Sequence, residues 1–146
     1  MSEQPTHLEP HVASPDEIQR LLASAAQSLA DAARAENAPV TRYDAACRAV
    51  MQCALAALFA NGYRPSPGMR EDLMAMAQSL QLTLGLPARG WIILDAILRK
   101  RRPGDYAGTE IGAGLADEFA LQTTTLLSRL RIWLATSHPQ LLKPPV

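Results

Sequence analysis

Apolar residues recur at helical spacing along this chain, and prolines and glycines divide that pattern into five stretches. The first opens at Ser14-Pro15-Asp16-Glu17, which offers an N-cap serine, a proline at the first helical position and a glutamate placed for a capping box. Ile18, Leu21, Leu22, Ala25, Leu29 and Ala32 then fall on one face, and Asn37-Ala38-Pro39 ends the stretch. The second is read from Thr41, with Asp44 at the capping-box position, to the stop at Asn61-Gly62. Its apolar face, from Tyr43 through Cys47, Val50 and Leu55 to Phe59, is wide enough to place it at the centre of a bundle. Ser66-Pro67 opens a third stretch with Leu73, Met76, Ala77, Leu80 and Leu84 as its stripe, closed by Gly85. Pro87 opens a fourth, with Trp91, Leu94, Ile97 and Leu98 inward, which Pro103-Gly104 stops. The fifth is read from Thr109 to Thr136, ended by His138-Pro139.

Alternation of the kind that marks strands is not seen, and the connections are short. The expectation is an all-α, antiparallel up-and-down bundle of about five helices, in one domain over residues 14–138. Residues 1–13 are read as a flexible N-terminal tail and residues 139–146 as a C-terminal one. A length of 146 residues suits one domain that buries its own core without metals or disulfides.

Charge narrows the function classes. Lysine plus arginine and aspartate plus glutamate number 14 each, so the net charge is zero and only a local patch could hold nucleic acid. Zero net charge with broad apolar stripes also favours self-association, and the expected assembly is a homodimer. Cys47 and Cys53 lie six residues apart, so on one helix they point roughly 120° away from each other. They read as buried apolar residues in a reducing, cytoplasmic compartment. No run of about 18 apolar residues predicts a membrane span, and Met1 to Val12 lacks the apolar core of a secretory signal.

Candidate chemistry is sparse. His7, His11 and His138 lie away from any paired carboxylate or histidine at metal-ligand spacing, and neither metal nor cofactor is expected. What stands out is Arg99-Lys100-Arg101-Arg102-Pro103-Gly104-Asp105-Tyr106. At about 100° per residue, Leu94, Leu98 and Arg101 fall within roughly 60° of one another, so Arg101 continues the inward stripe. Arg99 and Arg102 share a flanking face with Asp95. A guanidinium at a groove mouth could bind phosphate bidentately. The structural reading stands beside it: basic residues suit a helix C-terminus, and Asp95 with Arg99 is an ordinary i,i+4 pair. Arg129 and Arg131 read as a solvated face, Trp91 and Trp133 as core or dimer seam, and Met69, Met74 and Met76 as core filler or partner groove.

Three segments carry a family resemblance. Thr41 to Ser66 (TRYDAACRAVMQCALAALFANGYRPS), Leu94 to Gly108 (LDAILRKRRPGDYAG) and Leu115 to Leu141 (LADEFALQTTTLLSRLRIWLATSHPQL) resemble an early core helix, an arginine-bearing helix end and a closing helix of bacterial HEPN domains. These are small helical bundles associated with nucleotidyltransferases and toxin–antitoxin systems. The resemblance implies a dimer that brings two copies of an arginine–polar–spacer–histidine motif together, and in ribonuclease members that motif cuts RNA. Arg101 matches the arginine and Arg102 the polar position, while Tyr106 stands where the family has histidine. A general base works best with a pKa near 7, whereas tyrosine titrates near about 10, leaving about one in a thousand deprotonated at neutral pH.

The expectation is therefore a HEPN-like binding module for RNA, a nucleotide or a nucleotidyltransferase-type partner, with Asp95, Arg99, Arg101 and Arg102 at the ligand. Two alternatives stand beside it. One is a weak, metal-independent, toxin-type ribonuclease using Arg101, Asp105 and Tyr106. The other is a helical interaction protein without a small ligand, whose arginines only cap a helix.

Overall fold

The computed structural model describes residues 8–100 and 111–142. These residues form an all-α bundle with one small sheet. In chain order they give β1 (Leu8–Pro10), α1 (Pro15–Ala33), α2 (Pro39–Ala60), β2 (Tyr63–Pro65), α3 (Pro67–Arg70), α4 (Leu73–Leu84), α5 (Ala88–Leu98) and α6 (Ala113–Ser137), then a 3₁₀ turn at Pro139–Leu141.

The start of α1 follows its sequence signal. The Ser14 hydroxyl accepts from the Glu17 amide at 3.2 Å, and the Glu17 carboxylate accepts from the Ser14 amide at 3.0 Å. Two backbone donors that the first turn leaves unpaired are thereby satisfied. α2 departs from expectation. It begins at Pro39 rather than Thr41, with Ala38 as a cap that offers no side chain. Proline presets the helical φ and has no amide to leave unpaired, so it nucleates the turn ahead of the expected box. The third predicted stretch is two helices. Ser66 caps α3 by accepting from Met69, and Asp72 caps α4 by accepting from Ala75 at 3.1 Å. Gly85 ends α4 at φ +62°, the left-handed conformation that glycine adopts without steric cost. α6 starts at Ala113, later than the expected Thr109.

α2 occupies the centre, packing on α1, α4 and α6. Its buried positions cover most of the helix, and Ala45, Ala46, Ala49, Ala54 and Ala56 are fully enclosed. A helix with so wide an apolar face keeps only a narrow strip, with Thr41 and Arg48, for solvent. Ile18 of α1, Met76 and Leu80 of α4, Leu98 of α5, and Phe119, Leu130 and Leu134 of α6 fill the space around it. α5 contributes only Leu94, Ile97 and Leu98 to this core and leaves Ile92 and Ile93 exposed.

Two segments read as tails pack on the bundle. Leu8–Pro10 pairs antiparallel with Tyr63–Pro65, Leu8 opposite Pro65, so the strands the pattern did not show are present. Arg64 and Glu9 form an ion pair across this sheet at 3.0 Å, and the His11 amide donates to the Gly62 carbonyl at 2.9 Å. At the other end Leu141 is buried in the core, and His138 reaches the Asn61 side chain at 3.1 Å. Both cysteines are buried, as their spacing on α2 implied.

Candidate functional site

The cationic segment begins where α5 ends. The helix closes at Leu98 with Arg99 as its C-cap. Arg101, Arg102, Asp105 and Tyr106 lie outside the described residues. Of the remaining candidates, Arg99 turns back on its own helix: its Nε meets Asp95 Oδ2 at 2.9 Å in the expected i,i+4 pair. The other carboxylate oxygen of Asp95 is buried and has no hydrogen-bond partner among the described residues. Lys100 is exposed.

The carbonyls that end α5 are met from inside the bundle. The Tyr43 hydroxyl, carried by α2, donates to the Ile97 carbonyl at 2.7 Å and stands 3.3 Å from that of Leu98. Its ring packs on Phe119 with centroids 4.9 Å apart. A buried phenol needs a partner, and unpaired carbonyls at a helix C-terminus need donors. This contact gives the phenol its partner and adds a donor at the end of α5, where the Ile97 carbonyl also accepts from the Lys100 amide at 3.2 Å.

Arg42, one residue earlier, is a buried cation that the sequence pattern did not single out. Its Nε donates to the Ala32 carbonyl at 2.7 Å and its Nη2 to Asp117 Oδ1 at 2.6 Å. It thus ties the end of α1 to the start of α6. The side chain is 6% exposed whereas Asp117 is 70% exposed, so the charge is buried but its partner stands in water. This is a structural clamp.

A second feature lies along α5. A cleft of about 100 Å³ opens between its N-terminal half and α6, lined by Leu86, Gly90, Leu94, Thr125, Leu126 and Arg129 among others. Arg129, read from the sequence as part of a solvated face, stands at this cleft. The signal that could have found it is Gly90, a glycine inside a helical stretch with no turn to make.

Among the described residues no cluster of three or more histidine, cysteine, aspartate or glutamate side chains could hold a metal ion. Burial pushes the Cys53 thiol up to about 12, so it is a neutral packing group at physiological pH. Among the described residues no helix is long and apolar enough to cross a membrane. Comparison with models of known protein families, with curated proteins and with solved structures finds no match for the chain.

Proposed function

We propose that the protein is a HEPN-like binding module that engages a phosphate-bearing ligand, RNA or a nucleotide, through the cationic segment that leaves α5. One observation supports this reading above the others: the Tyr43 hydroxyl already serves the carbonyls that end α5. With those carbonyls already supplied, the basic residues are not required as hydrogen-bonding caps, and the helix dipole favours cations there in either reading. With Tyr43 in place, Lys100 stands exposed at the helix end, and Arg99 is steadied by Asp95. The next two residues in sequence, Arg101 and Arg102, extend the same run of cations. Guanidinium groups in such a run match the geometry of phosphate oxygens. RNA cleavage is not expected to accompany binding, because Tyr106 stands where a base near pKa 7 would be needed.

Titration of the full chain with short single-stranded RNA and with nucleotides tests this. Arg101→Ala should weaken binding about ten- to a hundredfold, the loss of a charged hydrogen bond worth roughly 1.5–3 kcal/mol. Arg131→Ala, on the exposed side of α6, should change it little. Equal affinity of Arg101→Ala and wild type would remove the site. Rapid, Arg101-dependent cleavage of RNA would replace this reading by the ribonuclease one.

A further inference from the structure

The outer face of α6 carries a seam that its own bundle does not use. Leu121, Thr125, Ser128, Ile132 and Ala135 follow one another at intervals of four, three, four and three residues, and all five are exposed. That spacing holds them in line along one side of a helix, and it is the spacing by which two long helices pack side by side. The core-facing positions of α6, Phe119, Leu126, Leu130 and Leu134, lie on the other side and are buried. Leu121 is 61% exposed and Ile132 67%, the large apolar side chains that α6 turns to solvent. Between them stand the small side chains of Thr125 and Ser128. The Thr125 hydroxyl folds back to the Leu121 carbonyl of its own helix at 3.3 Å, so a second helix can come close at the middle of the seam.

The partner that fits is set by the symmetry of the seam itself. Turned end for end, it meets its own complement. When Leu121 of one copy faces Ile132 of the other, Thr125 faces Ser128, so large side chains oppose large ones and small oppose small. The same rotation lays the half of α6 that carries Asp117 and Glu118 over the half that carries Arg129 and Arg131, and it opposes the two helix dipoles. At the flanks Arg129 falls across from Gln122 and Arg131 from Thr124, so no like charges meet. Other exposed apolar side chains do not offer this. Ile92 and Ile93 of α5 lie among exposed Arg89, Arg99 and Lys100, which a second α5 would oppose with more cations. On α4 Leu82 is the single exposed large apolar side chain. We propose that two copies of this chain pair through the outer face of α6, antiparallel about a two-fold axis, with Leu121 of each packed on Ile132 of the other. Tyr43 ties the end of α5 to Phe119, so each cationic segment leaves its copy beside the first half of its own α6. At about 1.5 Å per residue the two Phe119 positions then stand roughly 20 Å apart along the paired helices, and each copy keeps a cationic segment of its own.

Light scattering of the full chain, with a charge placed in the seam, tests this pairing. Ile132→Glu sets a carboxylate against Leu121 of the other copy. In a single copy that position is exposed, so the variant should melt near the wild-type temperature yet lower the self-association constant at least about tenfold. Ile92→Glu and Leu82→Glu, on the other faces, should leave the mass of the dimer unchanged. Orientation is read by mild oxidation of cysteine variants, since native Cys47 and Cys53 are buried. Leu121→Cys and Ile132→Cys should each stay free of interchain disulfide alone and form one when mixed. RNA affinity per chain should be equal for Ile132→Glu and wild type, so the loss of one property leaves the other readable. The proposal is overturned by a wild-type monomer, by folded Ile132→Glu that pairs like wild type, or by a mixture of the cysteine variants that forms no disulfide. Disulfides within each variant alone, the mark of a parallel pair, would overturn it too. So would loss of the dimer in Ile92→Glu or Leu82→Glu, which would assign the contact to another face.

Discussion

Arg42 shows how one side chain can be indispensable without touching a ligand. Replacing it by methionine keeps the aliphatic stem but leaves the Ala32 carbonyl without its donor, at a cost of about 1–3 kcal/mol. Asp117→Ala removes the exposed end of the same contact, where water can take over, and should cost less than about 1 kcal/mol. Urea unfolding of both variants should rank them in that order; equal losses would mean the ion pair, not the carbonyl bond, is what matters. Cys53 gives a second expectation at this scale. Its thiol is raised from 9.0 to about 12 by burial, opposed in part by the charge of Arg131. A raised thiol pKa means the folded state disfavours the thiolate, so stability is intact below about pH 9 and declines as pH climbs toward 12. Iodoacetamide should leave Cys53 unmodified in the native protein at neutral pH and alkylate it after denaturation. Native alkylation at the rate of a free thiol would contradict this burial.

At the scale of elements, some helix termini were legible from their residue types and others were not. Ser14 with Glu17, Ser66 and Gly85 act as their types suggest. Pro39 overrode Thr41, and Asp72 restarted a helix that periodicity alone ran through. β1 gave no warning, because three residues are too few to alternate and their partner strand lies far along the chain. The capping box also sets a pH dependence. Glu17 is held below its usual value of 4.5, first by the Ser14 backbone hydrogen bond and further by His11. A depressed carboxylate contributes stability that is present above pH 4.5 and lost as pH falls through the lower folded-state value. Glu17→Gln can keep the box without titrating, so its acid unfolding curve should lack part of the wild-type decline. Superimposable acid limbs would show that the box does not respond to pH.

For the whole molecule, periodicity foretold a helical bundle with α2 at its centre, since a helix with so wide an apolar face must be covered from several sides. It could not foretell Arg42 bridging α1 to α6, Tyr43 closing α5, or a cleft over Gly90. Those depend on which helix faces lie opposite one another, and no single stretch of sequence carries that information. Assembly is a question at this scale too. Leu82 on α4 and Ile132 on α6 are 77% and 67% exposed, and the chain has no net charge to oppose association. We expect a homodimer by light scattering at micromolar concentration; a monomer mass would rule it out. The central claim, binding of phosphate by the cations that follow α5, is met most directly by measuring affinity for single-stranded RNA across a range of salt concentrations. If Lys100, Arg101 and Arg102 each displace a counterion, log K should fall against log salt with a slope of about −2. No detectable binding at low salt, or an affinity indifferent to salt, would contradict it.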